Sequence, residues 1–154
     1  MIKLVLLDID GVLTDGKITV DQNGNEYKTI DFKDIDAVFE MKRQGYEIGL
    51  ITGESTPITL YFKERLKPDY FYDGCKNKPE AMRQIQKKTG YTTKQICYVG
   101  DGKHDISIIE QLNFTACPAN AIPQVKAISN IVLQASGGDG CIWELLGHLE
   151  QQKG

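Results

Sequence analysis

The run Leu4-Val5-Leu6-Leu7-Asp8-Ile9-Asp10-Gly11 decides how the rest of the chain is read. Four successive apolar residues suit a strand covered on both faces, the mark of a parallel sheet sandwiched between helices. The two aspartates follow where that strand would leave the sheet. Side chains alternate along an extended chain, so Asp8 and Asp10 leave the strand end pointing roughly the same way. Two carboxylates so close repel each other unless a cation or a shared proton compensates. The pair therefore asks for a divalent, oxygen-liganded metal such as Mg²⁺. A pair of loop-capping aspartates is the alternative, and the spacing alone leaves it open.

Working outward, short apolar runs recur at Ile48 to Ile51, Ile96 to Val99 and Ile131 to Leu133, with weaker ones at Tyr70 to Tyr72 and Phe114 to Cys117. Helical patterns separate them, and this alternation predicts an α/β fold with a parallel sheet. One helix is expected over Asp34 to Gln44, with Ile35, Val38 and Phe39 on one side and Gly45 as its stop. Thr56 before Pro57 reads as an N-cap followed by a first-turn proline, and Asn77 with Pro79 opens a helix that ends near Gly90. In the last helix Ile142, Leu145, Leu146 and Leu149 fall at helical spacing and belong to the core. The segment Lys17 to Ile30 breaks the rhythm: Ile18 and Val20 alternate with polar residues, Asn23-Gly24 turns, and the chain returns through Tyr27. That is the signature of a β-hairpin. Inserted after the first strand, it would overhang the carboxyl edge of the sheet, where open α/β folds bind ligands, as a lid or an oligomer contact.

Composition narrows the function classes. The 154 residues suffice for one domain, taken here as residues 1–154, and 41% hydrophobic with 25% charged residues is ordinary globular usage. A formal charge of -3 without any basic run argues against nucleic acid as a partner. No apolar stretch reaches membrane-spanning length and the start does not resemble a signal peptide, so a soluble cytoplasmic protein is expected. Cys75, Cys97, Cys117 and Cys141 are widely separated and form no zinc motif with the two histidines. They are expected to be reduced and mostly buried.

Three further stretches carry chemistry. In Val99-Gly100-Asp101-Gly102-Lys103-His104-Asp105, two carboxylates four residues apart bracket a turn from strand to helix. Asp105 by itself would serve as an N-cap, but Asp101 shares the sheet edge with Asp8 and Asp10, and three converging carboxylates call for a metal. Thr52-Gly53-Glu54, at another strand end, puts a hydroxyl beside an open backbone suited to phosphate oxygens. Lys76 and Lys78 open the helix after Gly74, where an ammonium would balance a phosphate dianion and the acidic cluster.

The order acid pair, Thr, Lys, acid pair, each at the carboxyl edge of a βα unit, resembles the haloacid dehalogenase superfamily of phosphohydrolases. Its four motifs match here as Asp8-x-Asp10, Thr52, Lys78 (preferred to Lys76 by spacing) and Gly100-Asp101 with Asp105. Asp8 to Gly16, the hairpin, Thr52-Gly53-Glu54, Pro118 to Ala121 and Gly137 to Gly140 are similar to the capless subfamily of 3-deoxy-octulosonate-8-phosphate phosphatases. That subfamily also holds nonulosonate-9-phosphate phosphatases. The resemblance implies a Rossmann-like three-layer sandwich with a hairpin after strand one and no cap domain. It also implies homotetramers in which the hairpins form a central barrel and a neighbouring subunit covers the site.

On this resemblance Asp8 is the nucleophile, Asp10 the proton donor and then base, and Thr52 and Lys78 hold the phosphoryl group. Mg²⁺ is held by Asp8, the backbone carbonyl of Asp10, and Asp101, while Asp105 orients Lys78 or a metal-bound water. Asp34, Gly53 and Glu54, with Thr52 and Lys78, are expected to contact a phosphorylated sugar acid destined for a cell-surface sugar. Glu54 leans toward a nine-carbon acid, since the octulosonate enzymes commonly carry arginine there. The glycine-rich Gly137 to Gly140 becomes a candidate cover for the active site. Departures occur at Ile35, Asp36, Gly102, His104 and Trp143, and the helix after Glu54 carries Leu60, Tyr61 and Phe62 where relatives are often arginine-rich. Three other readings compete with this one. A phospho-accepting receiver domain fails on motif order, because Lys78 precedes Asp101. A phosphatase fold retained as an oligomerisation or regulatory module sits poorly with intact Asp8, Asp10, Thr52, Lys78 and Asp101. A phosphatase for another small phosphate ester stays open beside them.

Overall fold

The computed structural model describes residues 1–153. Strand β1 (Leu4–Leu7) lies inside a parallel sheet, hydrogen-bonded on one side to β4 (Glu47–Ile51) and on the other to β6 (Ile96–Val99). Beyond β4 lies β5 (Tyr70–Tyr72), and beyond β6 lie β7 (Phe114–Cys117) and β8 (Ile131–Val132), giving the order β5-β4-β1-β6-β7-β8. The chain builds one half of the sheet, then crosses back over β1 to build the other. The strand order therefore reverses beside β1, and open α/β sheets place their ligand crevice at such a switch point.

Alternation within β1 splits the core in two. Val5 and Leu7 face one layer, formed with Ile35, Val38 and Met41 of α1 (Phe32–Arg43), Phe62 and Leu66 of α2 (Pro57–Leu66), and Ile142, Leu145 and Leu149 of α6 (Cys141–Lys153). Leu4 and Leu6 face the other, with Met82 and Ile85 of α3 (Lys78–Thr89), Ile108 and Ile109 of α4 (Ile106–Ile109), and Val125 of α5 (Pro123–Ile128). All four residues of β1 are buried, as a strand covered on both faces requires. The result is the expected three-layer α/β sandwich, with no cap domain among the described residues.

The expected strands and helices are present, with small shifts at their ends. Helix α1 begins at Phe32 rather than Asp34, because the Asp31 side chain accepts the Lys33 N–H and so supplies the cap. Thr56 caps α2 ahead of Pro57, Asn77 caps α3, and α3 stops at Gly90 with φ +77°. The four cysteines are free. Among the described residues no helix is long and apolar enough to cross a membrane.

The hairpin forms from β2 (Thr19–Val20) and β3 (Glu26–Tyr27), a two-stranded sheet separate from the main one. Asp21 closes its turn by accepting the N–H groups of Asn23 and Asn25, and Gly24 takes φ +82°. Ile18, Val20 and Tyr27 are all exposed.

Candidate active site

The loop after β1 is shaped by one carbonyl. Ile9 accepts the N–H groups of Val12, Leu13 and Thr14, at 3.2, 2.8 and 3.2 Å, curling the chain directly after the aspartates. Gly11 sits at φ +82°, and a Cβ placed there would lie 1.8 Å from Asp101 Oδ2. A residue without a side chain is what lets the β1 loop press against the carboxylate that follows β6. Gly100 does the same for Asp105, whose Cγ would meet a Cβ at 2.4 Å.

Thr52 continues β4 by donating its N–H to the Tyr72 carbonyl at 2.9 Å, and its own carbonyl receives the Cys75 N–H at 2.9 Å. The turns after β4 and β5 are thereby clipped together, so Lys78, at the start of α3, enters a fixed frame. Its Nζ lies 2.7 Å from Asp105 Oδ1, 3.1 Å from Tyr98 Oη and 3.3 Å from Asp8 Oδ2. Tyr98 also donates to Asp105 Oδ1. The other oxygen of Asp105 accepts the N–H groups of Asp101 and Gly102, at 2.9 and 3.0 Å. Asp105 thus has both oxygens engaged within the protein, and it holds Lys78 on one side and the β6 loop on the other.

One carboxylate oxygen each from Asp8, Asp101 and Asp105 lie within 4.8 Å of one another. Three acids face one ammonium, and the surplus negative charge shows in their proton affinities. Burial, then repulsion from Asp105, raises Asp8 well above the usual carboxylate range, against the pull of Lys78. Asp101 is pushed up to about 6 by burial and by Asp105. Asp105 goes the other way: burial opposes its ionisation, but Lys78, Tyr98 and the Gly102 N–H together hold it low. Burial likewise works against the charge of Lys78, and Asp8 and Asp105 overcome it, so the ammonium persists. A hard divalent cation with oxygen ligands is the partner such a donor set fits.

The sites read from the sequence are brought together with one exception. Asp8, Asp10, Thr52, Gly53, Glu54, Lys78, Asp101 and Asp105 all line one cleft of about 680 Å³, joined by Cys75, Lys76, Gly102 and His104. Of the two lysines, Lys78 is buried and Lys76 is exposed at the rim. The exception is Asp34. It is fully buried outside the cleft, where its carboxylate accepts the N–H groups of Gly140 and Ile142 at 3.2 and 3.0 Å. Its position at the start of α1 faces the first turn of α6, so both oxygens are spent on backbone and none is left for a substrate. Burial pushes it up to about 6 in spite of those two bonds.

The glycine-rich stretch is likewise a brace in this chain rather than a cover. Gly137 donates to Asn120 Oδ1 at 2.6 Å, Asn120 Nδ2 donates to the Gly11 carbonyl, and Gly138 donates to the Val12 carbonyl. A Cβ on Gly137 would meet the Gly11 oxygen at 1.9 Å. Gly137 and Gly138 therefore support the β1 loop from behind. Of the departures, Ile35 is core, while Asp36, Tyr61 and Trp143 are exposed.

Two polar residues escape a reading of the sequence alone. Tyr98 offered a signal: a tyrosine in an otherwise aliphatic buried strand, two residues before Gly100, whose hydroxyl needs a partner. Lys28 offered none, since its contact with Asp10, at 2.7 Å, spans eighteen residues from the hairpin to the β1 loop.

The chain is similar to known phosphatases in sequence and in fold. A haloacid dehalogenase-like hydrolase family model matches residues 70–145. The 3-deoxy-D-manno-octulosonate 8-phosphate phosphatase KdsC of Escherichia coli K12 is 28% identical over 160 residues, covering 99% of this chain and 85% of its own. A candidate phosphatase of the same name from Vibrio cholerae superposes with a TM-score of 0.92 at 31% identity, covering 97% of this chain and 84% of that one. The Moraxella catarrhalis phosphatase, solved with magnesium ion, phosphate ion and KDO, superposes with a TM-score of 0.91 at 27% identity, covering 97% of this chain and 86% of that one.

Proposed function

This chain belongs to the haloacid dehalogenase-like hydrolases and is a phosphatase, and on that footing we propose that it hydrolyses the phosphate monoester of a 3-deoxy-2-keto sugar acid through an aspartyl-phosphate on Asp8. One observation carries the mechanism: the buried Lys78 ammonium lies 3.3 Å from Asp8 Oδ2, in the cleft that Asp10, Thr52 and Asp101 also line.

A carboxylate of Asp8 attacks phosphorus in line with the ester oxygen. As the P–O bond to the sugar breaks, Asp10 gives its proton to the departing alkoxide, which is otherwise a poor leaving group. Asp10, now a carboxylate, removes a proton from water. That water attacks phosphorus, releasing phosphate and restoring the Asp8 carboxylate. Thr52 and Lys78 meet the phosphoryl oxygens, where preorganised donors count most because negative charge is spread over them during transfer. Asp8, Asp101 and the Asp10 backbone carbonyl would hold Mg²⁺, which supplies charge compensation for the phosphoryl group and for the acids around it. Asp105 acts through others, anchoring Lys78 and the loop that carries Asp101.

Glu54 is exposed at the rim of the cleft, and its resemblance there to the nonulosonate-9-phosphate phosphatases, where octulosonate enzymes commonly carry arginine, supports a nine-carbon acid. The open cleft and the exposed Ile18, Val20 and Tyr27 support a homotetramer in which hairpins meet and a neighbour completes the sugar site. The test is phosphate release with Mg²⁺ from octulosonate-8-phosphate, deaminoneuraminate-9-phosphate and N-acetylneuraminate-9-phosphate, with Asp8→Asn as control. Preference for a nonulosonate, abolished in the control, is expected. Turnover of none by the wild type would overturn the substrate class.

A further inference from the structure

We infer that Lys28, at the base of the hairpin, is a positioning residue for Asp10: it occupies Oδ1 of that carboxyl and so leaves Oδ2 as the atom that carries the proton. The inference rests on the role given to Asp10 above.

The two aspartates of the β1 loop are held very differently. Asp8 is held by the Ile9 N–H at 2.8 Å and by Lys78. Asp10 has one side-chain partner among the described residues, the Lys28 ammonium at 2.7 Å from Oδ1. The Lys28 side chain is 7% exposed, whereas Asp10 is 31% exposed and opens into the cleft. A nearly buried ammonium is costly to leave unpaired, so Lys28 is committed to this contact. The hairpin has no main-chain pairing with the main sheet, which makes Lys28 a direct polar link between it and the chemistry.

The donor and acceptor inventory gives the link its consequence. An ammonium has three donors and no acceptor, so it cannot take a proton from a neutral carboxyl or share one with it. With Oδ1 accepting from Lys28 whether Asp10 is charged or neutral, the exchangeable proton resides on Oδ2. The same oxygen then delivers it to the sugar alkoxide and later takes one from water. Without Lys28 the exposed Asp10 side chain is free to turn, and the correctly aimed rotamer becomes one of several.

The test compares Lys28→Met, which keeps the stem and removes the charge, with Lys28→Arg, which keeps a donor. Two esters are used: the sugar acid phosphate that the wild type prefers, whose alkoxide needs a proton, and p-nitrophenyl phosphate, whose phenolate leaves without one. For Lys28→Met a fall in kcat of about 10- to 100-fold on the sugar ester is expected, with little change in KM. The single-turnover burst of p-nitrophenolate, which reports attack by Asp8 alone, is expected to stay near the wild-type rate. Lys28→Arg is expected to recover much of the sugar-ester loss. Equal losses on both esters would mean general damage to the site and would overturn the inference, as would an unchanged kcat on the sugar ester. A crystal structure of Lys28→Met provides a readout independent of turnover: Asp10 is expected in more than one rotamer, with Asp8, Thr52 and Lys78 in place. A single unmoved Asp10 would overturn the inference even if the wild type hydrolysed none of the sugar esters, so the two readings fail separately.

Discussion

Gly11 and Tyr98 show how tightly single positions are specified around the cleft. Any side chain at Gly11 would need the left-handed region at φ +82° and would place Cβ 1.8 Å from Asp101 Oδ2. Gly11→Ala is expected to cost about 1–3 kcal/mol of stability from backbone strain alone. It is also expected to lower phosphate release far more than its stability loss explains, because Asp101 must move; urea midpoints and kcat measured together check this. Tyr98→Phe removes the hydroxyl shared by Lys78 and Asp105 but leaves their 2.7 Å ion pair. A loss of about 1 kcal/mol in stability is expected for one buried hydrogen bond. A drop in kcat of roughly tenfold should accompany it, since each 1.4 kcal/mol of misplaced transition-state charge is about one decade. An unchanged kcat would show that Asp105 positions Lys78 without help from the tyrosine.

At the scale of elements, the join between α1 and α6 is made by Asp34, which caps the incoming turn of α6 from the first turn of α1. Helix N-termini favour a carboxylate acceptor, yet burial raises this one to about 6 in the folded protein. The folded state therefore binds the proton more tightly than the unfolded chain, whose aspartate titrates near 3.8. The contribution of this group to stability is complete below that lower value and is lost as pH rises through about 6. Asp34→Asn keeps one acceptor and cannot titrate. The urea midpoint of the wild type, relative to that of Asp34→Asn, is expected to fall between pH of about 4 and about 6, and a constant difference across that window would refute the assignment.

For the molecule as a whole, the exposed Ile18, Val20 and Tyr27 on a two-stranded ribbon are the natural place for association. If the chain forms the tetramer proposed above, Ile18→Glu with Val20→Glu is expected to reduce the mass measured by light scattering toward that of a monomer. Activity on the sugar ester should fall with it, while Lys28 remains in the chain; a fully active monomer would remove the shared-site reading. Much of this architecture is written in local sequence. The four-residue apolar run before Asp8, the caps at Thr56 and Asn77, and the glycine stop at Gly90 each act through neighbours in the chain, so their consequences can be read without the fold. The same holds for the gathering of Asp8, Asp10, Thr52, Lys78 and Asp101, because parallel strands joined by helices send every strand end to one edge. Tertiary packing alone decided three things: that Asp34 spends its carboxylate on α6, that Gly137 and Gly138 brace the β1 loop, and that Lys28 meets Asp10. Each is a contact between side chain or backbone atoms far apart in sequence, 106, 126 and 18 residues, and no local propensity encodes such a meeting. It exists only once sheet order and helix packing have fixed which surfaces touch.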